Sequence, residues 1–134
     1  MKTFIISLVS SLLIMVVIDY VWLTSMSKSF YGKYLGHLLA EKPNLIPAVM
    51  FYVIYIVAIS VFVVLPALQG NFSIGKVFLL GAFLGLTAYA TYDLSNQATL
   101  KNWPTIVTIV DLIWGTVLTG TVSTITVLIT RYFS

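Results

Sequence analysis

The stretch LIPAVMFYVIYIVAISVFVVLPAL, residues 45–68, carries no charged side chain, and a helix needs about 20 apolar residues to cross the hydrocarbon of a bilayer. Its prolines stand where a spanning helix tolerates them, Pro47 in the first turn and Pro66 near the end. Three more segments read the same way: residues 3–26, 73–97 and 104–130. Pro104 suits a first helical position, where its missing N–H would be unpaired anyway. Open strands would leave unpaired backbone groups in lipid, so only helices are expected. The expected fold is an all-α membrane protein, residues 1–134 forming a single domain of four transmembrane helices in a compact antiparallel bundle.

Composition supports this assignment. Hydrophobic residues make up 60% of the chain and charged residues 8%, far below the roughly 25% of a soluble domain. The seven basic residues behind the net charge of +3 are scattered over loops and ends; no run of them could track phosphates, which excludes nucleic-acid binding. Cysteine is absent, ruling out disulfides, thiolate metal sites and a cysteine nucleophile. The start, Met1-Lys2-Thr3 and then an apolar run, imitates a signal peptide, yet no small-x-small site follows and the run continues into Asp19-Tyr20-Val21-Trp22; a retained first helix is expected. Lys2, Lys76 and Arg131 lie towards one membrane side and Lys28, Lys33, Lys42 and Lys101 towards the other, a near balance. Both termini are expected to be cytoplasmic, with dual insertion as the alternative.

Between the first two spans, Tyr31, Tyr34, Leu35, Leu38 and Leu39 form an apolar side while Lys33, His37 and Glu41 recur on another. A short amphipathic helix lying flat in the headgroup region is expected there. In the third span, Gly81 and Gly85 have the small-xxx-small spacing that lets two backbones approach closely, either inside the bundle or in a homodimer. The fourth span is rich in threonines, whose hydroxyls can bond back to their own helix.

Three of the four acidic residues fall inside spans. Asp19 lies about seven residues before the end of the first span and Asp111 about seven after the start of the fourth; Asp93 is near the end of the third. Alternating helix directions bring all three under one membrane surface, Asp19 and Asp111 on the order of 10 Å deep. Insertion scales charge roughly 2.5 to 3.5 kcal/mol for an acid at the helix centre, so these side chains should face one another, a polar cavity or a basic partner. Tyr89, Tyr92, Asp93 and Asn96 share a face of the third span, and Gln97 and Lys101 follow. Both outer spans carry Asp-x-x-Trp, as Asp19 with Trp22 and as Asp111 with Trp114.

Each feature also has a plainer use. The acids could be a hydrogen-bonded network that only holds the helices in register, although ionisable groups in a membrane are functional by default. Trp22, Trp103 and Trp114 could form an interfacial belt, whereas Trp114, being deeper, could offer its ring to a cation. His37 could be a solvated surface residue or a proton shuttle above the carboxylates. Lys101 could snorkel, pair with Asp93 or hold a lipid phosphate. No metal site is expected, because neither paired-histidine spacing nor Glu-x-x-His is present. Ser95 lacks a nucleophile elbow and no glycine-rich phosphate loop occurs, so no cofactor can be assigned.

Ile18-Asp19-Tyr20-Val21-Trp22-Leu23, Leu35-Gly36-His37-Leu38, Leu65-Pro66-Ala67-Leu68, the run from Ala88 through Asp93 to Leu100, and Val110-Asp111-Leu112-Ile113-Trp114-Gly115 resemble the small bacterial membrane proteins catalogued as domain of unknown function 2177. The resemblance covers essentially the full chain and is most specific over residues 89–104. It implies a bacterial inner membrane and four spans, and it supplies no activity. Three functions therefore stay open. The first is a membrane-lipid-modifying enzyme or accessory factor, with Asp19, Asp93, Asp111 and His37 handling protons. In it Trp22, Trp114, Tyr89, Tyr92, Asn96, Gln97 and Lys101 would line or orient the substrate, and membrane lipid would be the partner. The second is a proton-coupled transporter similar in architecture to small multidrug exporters. The third is a scaffold.

Overall fold

In the computed structural model, which describes all 134 residues, the chain is helical almost throughout and contains no strand. Four helices are long and apolar enough to span a membrane: α1 (Lys2–Leu38), α2 (Leu45–Gln69), α3 (Ile74–Thr99) and α4 (Thr105–Phe133). Their connections are short, as antiparallel neighbours require. Asn44 caps α2 by accepting from the Ile46 N–H at 3.1 Å, and Ser73 caps α3 by accepting from Lys76 N–H at 3.3 Å. Asn71 (φ 49°) and Asn102 (φ 59°) take the left-handed backbone in the two tight turns, a conformation that asparagine tolerates better than most residues. Pro104 is the N-cap of α4, one position before the first helical residue.

The segment after Met26 departs from the detached amphipathic helix expected there. It continues α1 through a π turn at Ser27–Tyr31, an α turn at Gly32–Leu35 and a 3₁₀ turn at Gly36–Leu38. Nothing between Met26 and Leu38 stops a helix: the Ser27 N–H still reaches the Leu23 carbonyl, and the wider π turn bonds Gly32 N–H to Ser27. The chain extends only at Leu39. Of the expected apolar side, Leu35 is buried with Trp103 and Val107, with Tyr31 and Tyr34 packed against them, while Leu38 and Leu39 stay exposed.

The interior mixes apolar side chains with hydroxyls. Met15, Tyr55, Ile59, Val63, Leu118 and Val122 form the main core, and Ser7, Ser11, Ser60, Thr119, Ser123 and Thr126 are buried among them. Ser7 and Ser60 share a hydrogen bond of 2.7 Å between α1 and α2; Tyr55 and Thr119 share one of 2.6 Å between α2 and α4. Thr116, Thr124 and Thr130 donate to carbonyls four residues back. Large apolar side chains such as Phe62, Leu79, Phe83 and Ile113 face outward, the arrangement expected where lipid is the solvent.

The α3–α4 pair is the closest contact in the bundle. Gly81 and Gly85 are both buried in it: a side chain at Gly85 would run into the Gly115 carbonyl and Thr119, and one at Gly81 into Ser123. The glycine face held open above for a homodimer is therefore covered within the chain. At the opposite end from the acids, Arg131 Nη2 donates to the Phe72 carbonyl at 2.6 Å and ties α4 to the α2–α3 turn.

Candidate functional site

Asp19 on α1, Asp93 on α3 and Asp111 on α4 line one cavity of about 170 Å³. Helix direction explains the meeting: α1 ends and α4 begins at the same surface, and equal offsets from it give Asp19 and Asp111 equal depth. Their hydrogen bonds cross between helices. Trp114 Nε1 donates to Asp19 at 3.4 Å, and Trp22 Nε1 donates at 3.2 Å to the Tyr31 hydroxyl, which donates to Asp111 at 2.5 Å. Each Asp-x-x-Trp tryptophan thus serves the aspartate of the other helix, one directly and one through a tyrosine. The two indoles stack with centroids 4.1 Å apart and planes 7° from parallel.

Tyr52 on α2 donates to the second oxygen of Asp19. Asp93 differs from the other two acids: it is 0% exposed, no N–H or hydroxyl donor reaches its oxygens, and the polar side chain it faces is the carboxyl of Asp111. A buried polar group in that state calls for an explanation beyond packing. Tyr89 and Tyr92, one turn and one residue before it, complete the cavity wall with Leu23.

An apolar groove of about 370 Å³ adjoins this cavity, lined by Phe51 of α2 and by Ala88, Tyr89 and Tyr92 of α3. Tyr89 and Tyr92 belong to both spaces. A second apolar groove, about 180 Å³, lies against the tryptophan pair and is walled by Val110, Ile113 and Val117.

The family model described as "Predicted membrane protein (DUF2177)" matches residues 4–128. The chain belongs to DUF2177. Neither the curated proteins nor the solved structures contain a match. For this DUF2177 chain, the stretch of most specific resemblance, residues 89–104, supplies the α3 side of the cavity and the α3–α4 turn. Gln97 holds that turn: its Nε2 donates to the Trp103 carbonyl at 3.2 Å and to Thr105 at 3.3 Å, and its Oε1 accepts from Thr108 at 2.9 Å. Trp103 is buried and donates to Thr108 at 3.0 Å, so it packs the turn.

Of the residues singled out in the sequence, Asp19, Trp22, Tyr89, Tyr92, Asp93, Asp111 and Trp114 line the cavity. Asn96 and Gln97 lie outside it, half-buried, on the same face of α3; Lys101 is exposed in the α3–α4 turn and His37 is exposed at the end of α1. Tyr31 and Tyr52 have hydroxyls that sequence reading left without a role. Tyr52 could have been found by depth, since it stands about seven residues into α2 from the same surface. Tyr31 had no such signal. Nine residues separate it from Trp22, which in an unbroken helix is about half a revolution; the π turn rotates it back, and the side chain leans towards the helix's amino end, lowering its hydroxyl to Asp111.

Chemically, the site offers two carboxylates held by neutral donors and a third, beside Asp111, that no such donor reaches. It is equipped to hold or pass a proton, or to receive a cation, beside a groove shaped for hydrocarbon.

Proposed function

We propose that this protein binds a membrane lipid at the carboxylate cavity and acts in its modification, as the enzyme or as an accessory factor. The observation that carries this reading is the shared wall: Tyr89 and Tyr92 border both the polar cavity and the apolar Phe51–Ala88 groove. A lipid entering sideways would lay an acyl chain along the groove and bring its polar part to Asp93. In this reading Asp93 binds or transfers the proton, Asp19 and Asp111 set its electrostatic surroundings, Tyr31 and Tyr52 hold those two acids in place, and the stacked tryptophans wall the pocket. The setting is a bacterial inner membrane with both termini in the cytoplasm. A proton-coupled exporter would need its acids to be reached from water on alternate sides, and an apolar groove meeting the cavity from the side favours lipid instead.

Lipid extracts of cells with the native protein, with Asp93→Asn, with Ala88→Trp and with the gene deleted provide the test. Mass spectrometry should find a lipid species changed by the native protein alone, Asp93→Asn failing in the chemistry and Ala88→Trp by filling the groove. Four identical lipid profiles, with all variants present in the membrane, would remove the proposal.

A further inference from the structure

We infer that the lipid taken at this site carries a cationic amine, primary or quaternary; the inference rests on the lipid reading above and names its headgroup. Asp93 is the starting point. Its carboxylate is fully buried, borders the cavity and meets no cation and no N–H or hydroxyl donor of the chain, whereas buried carboxylates are ordinarily paired with such groups. The two neighbouring acids bring it no positive charge: Asp19 accepts from Tyr52 and Trp114, and Asp111, which accepts from Tyr31, is within hydrogen-bonding reach of Asp93 but is itself a carboxyl. No lysine, arginine or histidine lines the cavity. Three carboxylates therefore border one space without a counter-charge from the chain, and a bound cation is the ligand that would balance them.

Two features select an organic cation. No group of three acid or imidazole side chains is arranged to hold a metal ion. Much of the remaining wall is aromatic: Trp22, Trp114, Tyr89 and Tyr92 line the space, and ammonium groups are attracted by aromatic rings while bare metal ions demand oxygen or nitrogen ligands. A cavity of about 170 Å³ holds a headgroup-sized amine, and the attached chain would continue along the groove beyond Tyr89 and Tyr92.

The experiment uses the full-length protein in uncharged nanodiscs, following intrinsic tryptophan emission, which Trp22 and Trp114 dominate at the site. The probes are hexadecyltrimethylammonium, hexadecanol and the water-soluble tetramethylammonium ion, with sodium and magnesium chloride as inorganic cations. Hexadecyltrimethylammonium should give a saturable change that Asp93→Asn weakens by about tenfold or more, the loss expected when one side of a buried charge pair is neutralised. Asp93→Glu should recover part of the binding, and unchanged circular dichroism should show both variants folded. Equal binding of hexadecanol, indifferent to Asp93→Asn, would overturn the amine and leave the lipid site standing. Tetramethylammonium binding as tightly as the long-chain amine would keep the cationic site and overturn the lipid reading. An Asp93-dependent response to sodium or magnesium alone would make the site inorganic and overturn the amine. Absence of any saturable response would overturn both.

Discussion

The hydroxyl of Tyr31 joins two ends of the site, accepting from Trp22 and donating to Asp111. Tyr52 does the corresponding work for Asp19 from the opposite side. Removing either hydroxyl leaves a carboxylate oxygen without its donor in a poorly hydrated place, which costs about 1–3 kcal/mol. Tyr52→Phe and Tyr31→Phe should each lower stability by that amount in detergent unfolding measurements; Tyr20→Phe, exposed and bonded to nothing at the site, should be neutral. Equal melting of all three would mean that the tyrosines do not hold the acids. Sequence reading reached the aspartates because a charge in an apolar run stands out. It passed over the tyrosines because an aromatic residue in such a run is ordinary.

Among the elements, the decisive irregularity is the π turn Ser27–Tyr31 in α1. One extra residue there turns Tyr31 towards the bundle, and such insertions are frequent at functional sites. Deleting Ser29, which is exposed and bonds only to the Ser25 carbonyl at 2.9 Å, should restore a regular helix with Tyr31 eight residues from Trp22, about two and a quarter turns, and so still on the bundle side. The deletion should therefore leave the Tyr31–Asp111 bond in place, and Tyr31→Phe should cost as much in it as in the full chain. A Tyr31→Phe that costs nothing in the deletion variant would show that the π turn itself is needed to aim the side chain. The glycines of α3 act differently: Gly81 and Gly85 let α4 come close enough to place Asp111 beside Asp93. The spacing advertised a close approach in advance, but its partner could have been α4 or a second copy, and only packing identifies it.

Across the membrane, the charge balance leaves orientation to experiment, and the absence of cysteine makes that experiment clean. With both termini cytoplasmic, Lys101→Cys should react with a membrane-impermeant thiol reagent in intact cells and Gln69→Cys should not; both positions are exposed, at opposite ends of the bundle. The reverse pattern would invert the proposed topology, and labelling of both would indicate dual insertion. Four spans, and three acids meeting under one surface, followed from hydropathy and residue offsets alone. Lipid compels each backbone to close its own hydrogen bonds, and short connections compel successive helices to alternate in direction. Rotation of each helix about its axis was beyond such reasoning, as were the continuation of α1 past Met26, the burial of Trp103 and the full burial of Asp93. Those depend on contacts between side chains distant along the chain, and linear order contains depth along a helix but not the direction from which its neighbours approach.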